Sequence, residues 1–362
     1  MLENMKKWTA QLMGGANVAT ILVMLVVGYS DRLNPIDYPF LSTLGLAFPV
    51  FLVINCAFLV FWAFFKLRGC ILPLVGFIVC YAPVRTYIPF NITKTAPEGA
   101  IKVMSYNVFL FGGGGVPDEE RWKMLDYIKQ QNADILCLQE ANLGGPFQKT
   151  IDSLFNSIYA YQDFRDKGIT GDRLAFYSKY PILGARKIEY PASDNFSMAY
   201  LLDLGSDTVI VINNHFATTG LTEEQRQNFK TMMKGEMQAG QVKNESKKLV
   251  HKLSEYAQIR APQVEAVAQF VREHRNRSVI LCGDFNDSPI SFARHRLAKE
   301  LTDCYVESGN GPGISYHRNS FYVRIDYIMC SPDWQPYGCQ VDNRIKTSDH
   351  YPIFCWLKKL HK

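Results

Sequence analysis

The sequence predicts an α/β domain of two packed sheets with helices outside, preceded by helices that cross a membrane. Three observations lead there. Residues 1–97 are oily and almost uncharged, with seven Lys/Arg and three acids. Beyond them, short apolar runs outnumber segments of helical spacing, and helices separate some of those runs, which is the pattern of strands and helices packed in layers. Most runs end in a polar cluster, where a buried strand delivers a side chain to a sheet edge.

Whole-chain averages hide this division. The 362 residues carry a net charge of +5 and are 48% hydrophobic, with a mean hydropathy of −0.08. Residues 98–362 hold 32 basic and 31 acidic residues. The basic excess therefore belongs mainly to the N-terminal part. The rest of the chain is long enough to bury a full core as one domain.

Thr9–Tyr29 offers 21 uncharged residues and Phe40–Phe65 offers 26. Both reach the roughly 20 residues a helix needs to span hydrocarbon. A third stretch, Cys70–Phe90, is interrupted by Pro73, Pro83, Arg85 and Pro89. The first stretch is too long for the apolar part of a cleaved signal peptide, and a second follows it. The expectation is an anchor over residues 1–95 with about three transmembrane helices (9–29, 40–65 and 70–90), then a second domain over 96–362. Lys6 and Lys7 precede the first helix, and Lys66 and Arg68 follow the second, so both pairs belong on the cytoplasmic side. Three crossings place the second domain on the non-cytoplasmic side of a plasma or inner membrane. A re-entrant third segment would return it to the cytoplasm.

Within the second domain, Ile101–Phe111 reads as a strand ending at Gly112–Gly115, and Glu119–Gln131 has helical spacing. Ile135–Gln139, Leu174–Ser178, Tyr200–Leu204 and Val209–Asn213 read as strands. Thr222–His274 reads as mostly helix with a break near Ala261-Pro262. A strand Val279–Cys282, a helix Phe292–Leu301 and strands Ile325–Cys330 and Ile353–Leu357 complete the order. Cys137, Cys282, Cys330 and Cys355 sit in apolar runs as core thiols. No Cys-x-x-Cys pair marks a zinc site. Cys304, Cys330 and Cys339 are the less regular candidates for a disulfide.

Six polar clusters share one chemistry. Asn107 ends Ser105-Tyr106-Asn107, and Glu140 follows Ile135-Leu136-Cys137-Leu138-Gln139. Taken alone, the first is a turn residue and the second a strand-end acid. A carboxylate at Glu140 also suits Mg²⁺, which takes a few carboxylates, waters and phosphate oxygens. His215 ends Val209-Ile210-Val211-Ile212-Asn213-Asn214 and is placed to donate to a developing oxyanion. The string Gly283-Asp284-Phe285-Asn286 is more specific. Its two polar residues are two apart, so they point the same way. One can orient or deprotonate a water while the other donates to a phosphate oxygen. Ser348-Asp349-His350 puts an acid beside an imidazole. Asp349 suits a metal, and His350 suits general-base work or phosphate contact. An imidazole needs a partner to hold its tautomer, and Asp326 in Arg324-Ile325-Asp326-Tyr327 is the candidate.

The order of these residues, Asn107, Glu140, His215, Asp284 with Asn286, Asp326, Asp349 with His350, resembles the endonuclease/exonuclease/phosphatase superfamily. Tyr177-Ser178-Lys179-Tyr180-Pro181-Ile182 and Arg260-Ala261-Pro262-Gln263 are weaker likenesses. The resemblance covers residues 100–358. It implies a four-layer α/β sandwich and Mg²⁺- or Mn²⁺-dependent hydrolysis of a phosphoester. By that resemblance Glu140 binds the metal with Asn107 and Asp349. Asp284 or the Asp326–His350 pair activates water, and Asn286 and His215 stabilise the charged transition state.

The substrate stays open among a phospholipid headgroup, another phosphodiester and nucleic acid. Residues 98–362 lack the basic footprint usual for nucleic-acid enzymes, with no Lys/Arg run longer than two. That weighs against the alternative of an endonuclease or exonuclease on DNA or RNA. A lipid bilayer held by the N-terminal helices favours a substrate near the membrane. The insert Thr218–Glu255 carries six lysines, among them Lys230, Lys247 and Lys248, and reads as a solvated helical face. A catalytically inactive membrane binding protein is the alternative from another class, and the complete polar set argues against it.

Overall fold

The computed structural model describes residues 2–167, 172–191, 195–205 and 207–360. Twelve strands form two six-stranded sheets. They are β1 (Ile101–Asn107), β2 (Ile135–Gln139), β3 (Tyr161–Lys167), β4 (Asp172–Ser178), β5 (Ile182–Ile188) and β6 (Ser197–Asp203). Then come β7 (Thr208–His215), β8 (Ser278–Asp284), β9 (Thr302–Asp303), β10 (Asp326–Cys330), β11 (Trp334–Val341) and β12 (Ile353–Lys359). One sheet has the order β11-β12-β1-β2-β4-β3 and the other β5-β6-β7-β8-β10-β9. Each sheet centres on one parallel pair, β1 with β2 and β7 with β8, and its other pairings are antiparallel.

Strand alternation builds the layers. Val103, Ile135, Cys137 and Phe176 of one sheet meet Tyr200, Val211, Ile280 and Ile328 of the other in a buried core. The rings of Phe176 and Tyr200 stack across it at 4.0 Å. Met104, Tyr106, Leu136 and Leu138 point the other way, onto the helices Asp118–Gln131 and Gly145–Asn156. Ile210, Ile212, Val279 and Leu281 pack on the helices Ala239–Glu273 and Phe292–Leu297. The fold is a four-layer α/β sandwich, as the sequence predicted.

Several elements differ from their sequence reading. The first strand stops at Asn107, because Phe109, Leu110 and Phe111 turn left-handed at φ 45°, 49° and 54°. The helix around Pro262 does not break there, and the interruption falls instead between Met233 and Ala239. A proline inside a helix costs about 3 kcal/mol. Ala257, Ala261, Val264, Val267 and Ala268 are buried on both sides of it, and their burial holds the helix together. The helix expected over Phe292–Leu301 ends at Leu297. All nine cysteines are free, with Cys304 and Cys330 in thiol contact at 3.6 Å.

The N-terminal part forms helices Leu2–Gly28 and Phe48–Phe65. Two are long and apolar enough to cross a membrane, within Asn4–Arg32 and Pro39–Phe65. The third segment is Leu67–Val79 followed by Tyr81–Tyr87, bent by 74°. It runs beside the first helix in the same direction: Leu72 faces Gly14, Ile21 faces Gly76, and Pro83 faces Gly28. Asn17 donates to Asn55 at 3.0 Å and accepts from the indole of Trp62 at 3.2 Å, joining the first two helices. These side chains are buried, and each polar group in the asparagine pair has a partner.

This part is docked on the sandwich. Asn91 donates to the carbonyls of Val306 at 3.0 Å and Gly309 at 2.5 Å. Asp31 lies 3.3 Å from His295. The fully buried Arg324 donates to the carbonyls of Pro312 at 2.7 Å and Thr86 at 2.5 Å.

Candidate active site

Topology brings the polar clusters together. Two parallel pairs end side by side, so Asn107 stands level with Gln139 and His215 with Asp284. Antiparallel β10 begins where β8 ends, which sets Asp326 opposite Asp284. His350 arrives on the turn before β12. Gly283 is required at the crossing of β8 and β7. Its φ is +138°, and a Cβ there would lie 1.9 Å from the carbonyl oxygen of Asn214.

Asp284 is the hub. Its Oδ1 accepts from the backbone N–H of Asn286 at 2.7 Å, and its Oδ2 accepts from Asn107 Nδ2 at 3.1 Å. The same Nδ2 donates to Glu140 Oε1 at 3.1 Å. Both His215 Nε2 and His350 Nε2 lie 3.7 Å from Asp284 Oδ2. The other ring nitrogen of His350 lies 2.8 Å from Asp326 Oδ2. Asn286 donates its side-chain amide to the carbonyl of Phe216 at 3.0 Å, with its backbone at φ 52°. Glu140 also turns left-handed, at φ 53°. Such backbone is costly for a residue without local hydrogen-bonding help and gathers at functional sites.

The charges respond to this crowding. Burial and then the neighbouring Asp326 carboxylate push Asp284 up to about 7, against the pull of His350. Burial alone would pull His350 down, but Asp326 and Asp284 outweigh it and push the imidazole up to about 10.

Behind the centre, Gln139 donates to Ser105 at 3.2 Å and across the sheets to Asn213 at 2.8 Å. Asn213 returns donors to the carbonyls of Leu138 and Ala175. Ser348 donates to the carbonyl of Asn107 at 2.7 Å. Ser105, Gln139, Asn213 and Ser348, from four of the sequence clusters, therefore brace the site. Arg260 pairs with Asp287 at 3.3 Å, and Gln263 accepts from the N–H of Ala217 at 2.9 Å. They tie the helix to the loops that follow β7 and β8.

The structure thus brings together Asn107, Glu140, His215, Asp284, Asn286, Asp326 and His350. Asp349, next to His350 in the chain, pairs with Arg318 through Oδ2 at 3.5 Å. Sequence reading missed Arg318 and also Tyr316, whose ring packs edge-on against His350 at 5.1 Å. Neither belongs to an apolar run or a spaced motif, so no signal pointed to them.

The donor set fits a hard divalent cation. Asp284, Asp326 and His350 each offer a ligand atom, all within 4.8 Å of one another. Asp326 Oδ1 and Asp349 Oδ1 are buried without a hydrogen-bond donor among the described residues. A buried carboxylate oxygen left so is costly, and a cation relieves the cost.

A sequence model described as the Endonuclease/Exonuclease/phosphatase family matches residues 104–350. The chain belongs to this family. Its matched span runs from β1 to His350 and so contains every one of these candidate residues. A second model, a domain of unknown function, matches residues 10–87. No curated protein matches the chain. Among solved structures, the endonuclease/exonuclease/phosphatase fold is shared with truncated Caenorhabditis elegans TDP2. That match has a TM-score of 0.51 at 17% identity, covering 72% of this chain and 98% of that one. The human Nocturnin catalytic domain with bound sulfate matches with a TM-score of 0.51 at 18% identity, over 72% of this chain and 93% of that one. An endonuclease/exonuclease/phosphatase from Beutenbergia cavernae matches with a TM-score of 0.52 at 17% identity, over 72% of each chain.

Proposed function

We propose that the chain is a membrane-anchored phosphoester hydrolase of this family that works with Mg²⁺ or Mn²⁺. The carrying observation is the convergence of Asp284, Asp326 and His350 with the Asn107–Glu140 pair at one sheet edge. Glu140 and Asn107, with Asp349 or the Asp284 carboxylate, would hold the divalent ion, which supplies Lewis-acid polarisation of a phosphate oxygen. Asp284 stands where it can take a proton from water. The Asp326–His350 pair is the alternative base, because Asp326 fixes the ring and leaves Nε2 facing the centre. His215 and Asn286 donate to phosphate oxygens as negative charge grows.

The N-terminal helices anchor the protein, residues 1–95 as the membrane part and 96–362 as the catalytic part. Three crossings are supported by the third segment, which starts beside Lys66 and Arg68 and ends level with the first loop. There the hydroxyl of Tyr29 donates to the carbonyl of Val79 at 2.8 Å. The catalytic part and the loop between the first two helices then share one face, opposite Lys6, Lys7, Lys66 and Arg68. By the positive-inside rule that face is non-cytoplasmic.

The test uses full-length protein in detergent with Mg²⁺ or Mn²⁺. The substrates are bis(p-nitrophenyl) phosphate, sphingomyelin, inositol phosphates and plasmid DNA. Turnover that is lost on chelation and in Glu140→Ala and Asp284→Ala supports the reading. Plasmid nicking with no turnover of the small esters would make the protein a nuclease instead. Inactivity across the panel would leave a binding protein.

A further inference from the structure

One pocket touches both the anchor and the candidate site. It encloses about 850 Å³, its open mouth included. Thr43 and Leu46, which enter from the segment between the two long apolar helices, form one wall. Leu221 and Leu253 of the insert form another. Asn286 and Tyr316 line the pocket as well. These two residues touch the reacting centre, since Asn286 holds Asp284 through its N–H and Tyr316 packs on His350. Arg226 also lines the pocket and donates to the Tyr316 hydroxyl. No carboxylate pairs with Arg226 among the described residues, so its charge is available to an anion.

We propose that this pocket takes the hydrocarbon chain of an amphiphilic phosphoester, a lipid whose phosphate sits at the Asp284–His350 centre. This rests on the hydrolase reading above and names its substrate class. A soluble, polar substrate gains nothing from leucine walls, whereas pockets that bind ligands tightly pair apolar walls with a few placed polar groups. The occupant is a lipid rather than a peptide because the wall continues into the membrane part: Leu46 lies two residues before the apolar helix Phe48–Phe65. A chain leaving the bilayer beside that helix reaches Asn286 without crossing open water. Arg226 would meet the anionic headgroup.

The experiment measures kcat/KM for a series of p-nitrophenyl alkyl phosphates, methyl to decyl, on full-length protein in detergent with Mg²⁺. Each buried methylene is expected to raise kcat/KM about fourfold, levelling once the pocket is full. Leu46→Trp obstructs the pocket from an exposed position, 43% accessible, and touches no reacting group. It should flatten the chain-length dependence and leave the methyl ester rate unchanged. Leu253→Trp repeats the test from the insert, which also lines the pocket. A wild type with no chain-length dependence overturns the proposal. So does a dependence that persists in both variants, which would report partition into micelles. Absence of turnover for every ester with Mg²⁺ and Mn²⁺ is a separate result. It refutes the hydrolase reading itself and takes this inference with it.

Discussion

Asp326→Asn isolates the part of the site that is held by charge. The substitution keeps the side-chain volume and removes the negative charge that lies 2.8 Å from His350 Nδ1. Both residues are buried, so water screens little. With charge centres roughly 4 Å apart and an effective dielectric near 20, the lost interaction is about 4 kcal/mol. A base must start neutral, so this applies where a bound cation would offset the carboxylates that push metal-free His350 up to about 10. The attraction then arises only as the ring is protonated in the transition state, and kcat falls roughly a thousandfold. This lies inside the usual range of roughly 10²–10⁴ for a general acid or base. The assay is hydrolysis of bis(p-nitrophenyl) phosphate by full-length protein in detergent with Mg²⁺, with kcat, KM and the pH profile measured separately. The loss should appear in kcat, and the limb of the pH profile that belongs to His350 should move to lower pH. An Asp326→Asn variant with kcat within about threefold of wild type and an unmoved profile would remove the pair from the mechanism.

Gly283→Ala should cost about 3 kcal/mol or more, read as a lower Tm, because its Cβ meets the Asn214 backbone. Metal-free protein should lose stability as pH rises. Folding raises the pKa of His350, so its stabilisation is fully present below the unfolded value near 6.5 and is lost as pH climbs through about 10. Asp284 is also raised, to about 7, so its share is lost between the ordinary carboxylate range and neutrality. In a chelator, a Tm that rises between pH 7 and 10 would contradict the His350 shift, and one that rises from the ordinary carboxylate range up to neutrality would contradict the Asp284 shift. Asn91→Ala should destabilise by about 1–3 kcal/mol, measured by thermal unfolding, because the carbonyls of Val306 and Gly309 lose their donor. A chain cut at residue 96 should unfold at a lower temperature than full-length protein in the same detergent, since Arg324 loses the Thr86 carbonyl. Equal Tm values would show the two parts to be independent.

Much of the site was legible because buried strands write their ends in polar letters. Val103–Asn107, Ile135–Gln139 and Val279–Asp284 each run apolar and stop at the residue the site uses. The edge strand Ile182–Ile188 escaped notice, for it is largely exposed and carries Gly184, Arg186 and Lys187. Pro262 misled in the other direction: local propensity marks a break, and burial on the Ala257–Ala268 face overrides it. The contact between Arg318 and Asp349 joins residues far apart in the turn structure, so no local pattern announces it. The composition shift near Ala96 is real, yet Asn91, Arg324 and Asp31 form contacts across it that no hydropathy profile contains.

Arg324 has one more implication. It grips the last turn of the third N-terminal segment two residues before Asp326. The straight portion of that segment, Leu67–Val79, is about 20 Å long at 1.5 Å per residue, shorter than the roughly 30 Å of a typical hydrocarbon layer. In the membrane-anchored protein proposed above, a mismatch of that kind is met by thinning the bilayer or by shifting the helix. Any shift pulls on Arg324 and, through Ile325, on the carboxylate that orients His350. Bilayer thickness thereby becomes an input to the reaction, and turnover in vesicles should vary with the length of the lipid acyl chains.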